Sequence, residues 1–196
     1  MDFCIGRPRE NYLFIEVIIM VNKGYLQAKT DKASDEYYTP AYAVKPIIKY
    51  LGDTSKTIWC PFDTQDSEYV KLLENAGHKV IATHIDNGQN FFYYDPEEHY
   101  DYIISNPPFS CKDAILARLT ELNKPYAILL PLPTLQGQGR FEDLVGAQAL
   151  VFDKRINFYT DLAHTSMAKG VSFASIYICK DFLPRDLIFE RLDTKI

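Results

Sequence analysis

The sequence predicts a single α/β domain built on a mostly parallel sheet with an antiparallel C-terminal edge. Three observations carry that expectation. Short apolar runs at 57–60, 78–85, 101–105 and 126–130 have no polar face, as befits strands covered on both sides by helices. Segments with helical spacing of apolar residues lie between them, so strand and helix alternate. Beyond the last of these runs the pattern changes to two strand-like runs, 154–159 and 171–179, joined by a polar stretch, which suits antiparallel closure.

The first helix follows Thr39, placed to cap it, and Pro40, suited to its first turn. Val44, Ile47, Ile48 and Leu51 then recur at helical spacing, Pro46 predicts an early bend, and Gly52-Asp53 ends the element. Thr57-Ile58-Trp59-Cys60 reads as a short strand and 67–76 as a helix stopped by Gly77. Strands over 78–85 and 101–105 follow, then a helix over 111–123 and the strongly apolar strand Tyr126-Ala127-Ile128-Leu129-Leu130. No internal repeat or low-complexity tract interrupts the series. In such a sheet, ligands sit beyond the carboxyl ends of the parallel strands near a switch in strand order. Segments 61–66, 86–90 and 106–110 are all expected to emerge there.

A chain of 196 residues that is 47% hydrophobic can bury one substantial core, which makes one domain over 31–196 the default. Its 21 Lys and Arg against 26 Asp and Glu give a net charge of -5, so contact with nucleic acid requires a locally basic face. The scattered Cys4, Cys60, Cys111 and Cys179 lack metal-site spacing, and a reduced, cytoplasmic protein without a structural metal is expected. Residues 1–30 read as an N-terminal arm or leader. Their apolar run at 12–21 contains Glu16, is too short to span a bilayer, and precedes no small-residue cleavage site. Codons for Glu16-Val17 can form a purine-rich ribosome-binding stretch, so initiation at Met20 is one expectation and an extra edge strand or loose arm is the other.

The chemistry concentrates in Asp101-Tyr102-Ile103-Ile104-Ser105-Asn106-Pro107-Pro108-Phe109-Ser110, a buried strand ending in polar, proline and aromatic residues. The exocyclic amine of adenine is a poor nucleophile because its lone pair is delocalised into the ring. Methylating it requires both hydrogens to be held by acceptors, so that the lone pair faces an electrophilic methyl. Asn106 offers a side-chain carbonyl and Pro107 a main-chain carbonyl. Pro107 and Pro108 limit the backbone's torsional freedom. Phe109 can stack on the base, and Ser105 or Ser110 can position its surroundings. In the structural alternative, Asn106 caps the next helix, the prolines make a turn and Phe109 fills core.

Ser105-Asn106-Pro107-Pro108-Phe109 resembles the catalytic motif of SAM-dependent amino-methyltransferases, especially N6-adenine DNA methyltransferases of small phage or prophage type. Asp35-Glu36-Tyr37-Tyr38-Thr39-Pro40 resembles the element of that family that touches the methionine end of S-adenosyl-L-methionine (SAM). The similarity runs from Asp35 through Cys179 and implies a Rossmann-like class I SAM-dependent methyltransferase fold. It further implies SAM as cofactor, DNA as partner and direct in-line transfer to adenine N6 without a metal.

On this resemblance Tyr38, Thr39 and Pro40 belong to the cofactor site, and Trp59-Cys60-Pro61-Phe62-Asp63 occupies the first cofactor loop. That loop usually carries glycines, and this chain has none between Lys56 and Ala76. Asp63 can bind the SAM ammonium and Phe62 can line the pocket; alternatively, Asp63 and Asp66 cap the following helix. Asp86, or His84 in a neighbouring register, faces the ribose hydroxyls. Asn90 can accept from the adenine amine and Phe91 can pack on the ring, unless Phe91 and its neighbours only fill core.

Segment 131–140 follows the strong fourth strand on the same face, where Arg140 can meet bases or phosphate and its glycines allow movement. Arg155 and Lys169 are candidate phosphate contacts, and Phe158 can enclose a flipped base. The alternative is a solvated connection with ordinary surface charges. Substrate contacts are therefore expected from Ser105, Pro108, Ser110, Arg140, Arg155, Phe158 and Lys169. With no room for a recognition domain, target choice would rest on short loops, an accessory specificity protein or a second copy in a homodimer. RNA adenine, protein glutamine, or a noncatalytic SAM-fold module are the competing assignments.

Overall fold

The computed structural model of the chain describes residues 37–161, 163, 165–168 and 173–194. The expectations for residues 1–30 and for Lys169 lie outside the described residues.

The described residues form a seven-stranded sheet. In chain order its elements are α1 (Ala41–Ile48), β1 (Thr57–Cys60), α2 (Glu68–Asn75), β2 (Lys79–Ala82), β3 (Tyr102–Ser105), α3 (Lys112–Leu122) and β4 (Tyr126–Pro131), followed by α4 (Phe141–Leu144), β5 (Gln148–Phe152), β6 (Ser175–Lys180) and β7 (Leu187–Glu190). The strands lie in the order β2-β1-β3-β4-β6-β5-β7. The first four run parallel, β6 is antiparallel to both β4 and β5, and β7 runs parallel to β5. This is the predicted α/β architecture, a mostly parallel sheet with an antiparallel departure near its C-terminal edge.

Because successive strand residues face opposite ways, each central strand feeds both cores. Ile58, Cys60, Ile104, Ala127, Leu129, Tyr177 and Cys179 pack with α1 and α2 residues on one face. Trp59, Ile103, Ile128, Leu130, Ile176 and Ile178 pack with Ile115, Leu116 and Leu119 of α3 on the other. This double burial explains why the strands read as unbroken apolar runs. The Tyr177 hydroxyl donates to the Ala43 carbonyl (3.1 Å) and shares a hydrogen with the Tyr69 hydroxyl (2.7 Å), tying β6 to both helices.

Local chemistry sets the ends of the helices. Ser67 caps α2 by accepting from the Tyr69 N–H, and Asn123 ends α3 in the left-handed conformation, φ 47°. At α1, Pro40 itself occupies the N-cap position without a side-chain cap, so Thr39 is not the cap that the sequence predicted. Missing its own N–H, Pro40 fits where the helix has no use for that donor.

The C-terminal edge also differs from expectation. Segment 154–159 is not a strand and contributes only the isolated bridges of Tyr159 to Tyr38 and Met167. The sheet partner is instead β5, immediately upstream, and β7 extends the edge. Gln148 organises this turn: its side-chain oxygen accepts from the Phe182 (3.0 Å) and Leu183 (2.8 Å) N–H groups, and its nitrogen donates to the Leu183 carbonyl (2.7 Å). No helix among the described residues is long and apolar enough to cross a membrane.

Candidate functional site

Parallel pairing of β1, β2, β3 and β4 brings the four segments that follow them to one end of the sheet. The Tyr38–Tyr159 bridge adds segments 37–40 and 156–159 to the same region, and the Leu132 N–H donation to the Ala174 carbonyl (2.8 Å) adds the start of β6.

Asn106 follows β3 directly. Its side-chain nitrogen donates to the Tyr37 carbonyl (3.1 Å), which fixes the orientation of the amide, since a carbonyl can only accept. Its side-chain oxygen is consequently turned the other way, buried, with no hydrogen-bond partner among the described residues. Leaving a buried acceptor unmatched costs about 1–3 kcal/mol, a cost that a site waiting for a donor explains. Pro107 is buried and Pro108 partly so. Phe109 meets Phe158 (ring centroids 6.3 Å) and Phe173 (5.3 Å), and Tyr37 meets the same two rings at 5.6 and 6.2 Å. Asn106 is thus held by the residue that opens an aromatic cluster.

Tyr37 and Phe173 were not singled out as site residues by the sequence. Their signals were the doubled Tyr37-Tyr38 before Thr39-Pro40 and the single aromatic between Ser172 and Ala174. Neither residue reveals that it packs against Phe109 or Phe158 until the chain is folded.

After β1 and β2, a small cleft is lined by Pro61, Phe62, His84, Ile85, Gln89, Asn90, Phe91 and Phe92. Phe91 is almost fully buried, stacked at a tilt on Phe62 (4.9 Å) and Trp59 (5.4 Å). Behind it the Trp59 indole N–H donates to the Thr83 hydroxyl (2.8 Å). The Asn90 side-chain oxygen accepts from the Phe92 N–H (3.0 Å), and its main-chain carbonyl accepts from Tyr93 and Tyr94, which folds 90–94 into a tight turn. His84 Nδ1 accepts from the Asp86 N–H (3.2 Å), while the Asp86 side chain stays exposed at the rim. The Cys60 thiol is fully buried in the core, where burial raises its pKa well above the ordinary thiol range. Its carbonyl accepts from Thr83 (3.0 Å). The cleft thus has an aromatic wall and a polar rim. Tyr38, Thr39 and Pro40 belong to the same end of the molecule, Thr39 and Pro40 buried.

Asp63 is only 8% exposed. One carboxylate oxygen accepts from the Ser67 hydroxyl (2.5 Å) and the other from the Ser105 hydroxyl. It does not cap α2, a task that falls to Ser67. Burial pushes the carboxyl up to about 6, against the opposing effect of the two hydroxyl donors. Cys60, Tyr69 and Tyr177, the other titratable groups that interact with it, are all raised chiefly by burial and remain neutral near pH 7. An unfolded Asp titrates near ~3.9, so the folded chain holds this proton more tightly. Asp63 therefore contributes stability that is fully present below that value and is lost as pH rises towards about 6. The shift corresponds to about 3 kcal/mol. Wild-type protein is expected to lose roughly that much stability relative to Asp63→Asn between about pH 3.5 and 7.5, read by urea unfolding of both proteins. Parallel pH profiles would remove this assignment.

The remaining predicted residues are more dispersed. Arg140 donates to Asp113 (2.6 Å) and to the Gln136 carbonyl (2.6 Å), bracing segment 132–140, which forms two short 3-10 turns. A Cβ on Gly137 would lie 2.0 Å from the Arg140 guanidinium, so a larger residue there would push that side chain aside. Ser110 is exposed beside Cys111, Arg155 is exposed, and Phe158 is fully buried within the aromatic cluster.

No protein-family model and no curated protein matches the chain. Among solved structures it is similar to the methyltransferase subunit of a type I restriction-modification system from Streptococcus thermophilus, with a TM-score of 0.50 and 14% identity over 82% of this chain and 48% of that one. A modification subunit described for a type I restriction enzyme of Vibrio vulnificus YJ016 aligns with a TM-score of 0.44 and 12% identity, covering 94% of this chain and 53% of that one. The chain spans about half the length of these structures. At such low identity the first likeness speaks for the fold. Together with the strand order it shows a Rossmann-like, mostly parallel sheet with flanking helices, consistent with the class I SAM-dependent methyltransferase fold.

Proposed function

We propose that the chain transfers a methyl group from SAM to the N6 amine of adenine in DNA. The observation that carries this reading is the buried Asn106 side-chain oxygen, left without a donor while its amide is locked by Tyr37. A base amine brought to it would supply the missing hydrogen bond. In this reading the Pro107 carbonyl takes the second amine hydrogen, and Phe109 with Phe158 encloses the ring. Ser105, Pro108 and Ser110 set the shape of the turn around it. SAM, when bound, supplies an electrophilic methyl on a positively charged sulfur.

The cleft lined by Phe62 and Phe91 is where that donor would sit. Phe62 and Phe91 would face its adenine ring, with Asn90 at the ring edge and Asp86 at the ribose hydroxyls. Tyr38, Thr39 and Pro40 would meet its methionine end, with Cys60 contributing to the loop beneath. Pinning both amine hydrogens removes the lone pair from the ring and aims it, and after transfer the surplus proton passes to solvent. An adenine in a duplex must be extruded to reach Asn106, with Arg155 and Lys169 as candidate phosphate contacts; Arg140 is already engaged by Asp113 and the Gln136 carbonyl. The role named for the S. thermophilus protein, a methyltransferase subunit, agrees with this reading and favours an accessory protein or second copy for target choice.

The test is incubation with methyl-labelled SAM and separate DNA, RNA and protein pools, followed by hydrolysis of the labelled product to nucleosides or amino acids. N6-methyladenine from DNA is expected. Label confined to RNA or to glutamine would reassign the substrate, and donor binding without transfer to any pool would make the chain a SAM-binding module.

A further inference from the structure

Asp63 draws together three parts of the molecule that sequence separates. Its main-chain N–H donates to the Thr83 carbonyl (3.2 Å), and the Thr83 N–H donates back to the Cys60 carbonyl (3.0 Å), so the donor loop is tied to the end of β2. One oxygen of its side chain holds Ser67, the N-cap of α2. The other holds Ser105, the fully buried last residue of β3 and the immediate neighbour of Asn106. Ser105 is also in register with Ile128 on β4. No Lys, Arg or His forms an ion pair with Asp63 among the described residues.

A carboxylate is an expensive way to hold two serines in the interior, because burying its charge opposes folding. What it offers is two strong acceptors in one rigid plane, each able to fix a hydroxyl on a different element. Ser67 and Ser105 are such hydroxyls, one on the helix after the donor loop and one on the strand that carries the clamp.

We propose that Asp63 is a positioning residue, which sets the orientation of the Asn106 clamp through Ser105 and so couples the donor loop to the acceptor site. This rests on the methyltransfer reading for its consequence in rate, though the geometric link stands apart from it. Displacing reacting groups by about 1 Å can cost about 100-fold in rate, and Ser105 is one peptide bond from the side chain that must be aligned. A carboxylate that only bound the donor would act on donor affinity and would have no reason to share its effect with Ser105.

The experiment is a double-mutant cycle on the full chain with Asp63→Ala, Ser105→Ala and the pair, reading single-turnover transfer and the dissociation constant for SAM. Each single change is expected to slow transfer by about 10- to 100-fold, with SAM affinity within about threefold, and the pair to be little slower than the worse single change. Losses that multiply in the pair would overturn the proposal, as would an Asp63→Ala effect confined to SAM affinity. Asp63→Asn, which keeps the shape and one acceptor, replaces the alanine if that variant does not fold.

A second readout needs no activity. In nitrogen-15 spectra of the protein without donor, the main-chain and side-chain amides of Asn106 are expected to move in Asp63→Asn and in Ser105→Ala alike. Unmoved Asn106 resonances in Asp63→Asn would sink the positioning role even for a chain that methylates DNA. Moved resonances in a chain that transfers nothing would sink only the methyltransfer reading.

Discussion

Asn106→Ala is expected to reduce methyl transfer by at least about 100- to 1,000-fold, the range seen when one transition-state hydrogen-bond partner is removed from a preorganised site. Its affinity for SAM should change by less than about threefold, because in the proposed reading the lost oxygen serves the acceptor. The protein should not be destabilised much. Truncation strands the Tyr37 carbonyl but also abolishes an acceptor that already lacked a partner, so the two effects oppose each other. Single-turnover rates, SAM titration and a thermal melt on the same preparation check all three. Transfer within tenfold of wild type would mean that the orphaned oxygen has another purpose.

Trp59→Ala is expected to cost about 3–5 kcal/mol of stability, the usual range for truncating a large buried aromatic. Trp59 is fully buried and packs on Phe91 (5.4 Å), Tyr94 (6.4 Å) and Tyr100 (5.1 Å). Its loss also deprives the buried Thr83 hydroxyl of the indole donor. Phe91 lines the proposed donor cleft, so the damage should extend to function. SAM affinity is expected to fall by about tenfold or more, even at temperatures where the variant remains folded. Chemical denaturation and SAM titration measure the two effects. A stability loss below about 1 kcal/mol would show that the neighbouring rings refill the space.

Much of the sheet was legible because its strands are buried on both faces. The apolar runs at β1, β3 and β4 need no polar face, and helices with their own apolar stripes fall between them. The edge was harder to read. Lys154-Arg155-Ile156-Asn157-Phe158-Tyr159 has strand-like alternation, yet Ile156 and Phe158 are buried in the core while the segment's bridges are made only by Tyr159. Alternation reports which residues turn inward and does not say whether a sheet neighbour is present. β5 and the edge strand β7 alternate less clearly in sequence, because their neighbours and a glutamine bracket define them.

The site was legible where a short motif holds all its parts in sequence, as in Ser105-Asn106-Pro107-Pro108-Phe109. Contacts made across the fold were invisible. Nothing in Tyr37 announces that its carbonyl will hold Asn106, and nothing in Asp63 distinguishes a helix cap from a bond to Ser105. Asp63 and Ser105 are brought together because β1 and β3 are neighbours in the sheet, a fact of strand order that local pattern does not encode.

The commitment of Arg140 to Asp113 and the Gln136 carbonyl has a bearing on how ionic conditions would govern a bound duplex. A guanidinium already neutralised within its own chain displaces few counterions from a phosphate, so association on that face would fall only gently as electrolyte is added. Grip on that face would then come from shape, from ring surfaces and from the extruded base.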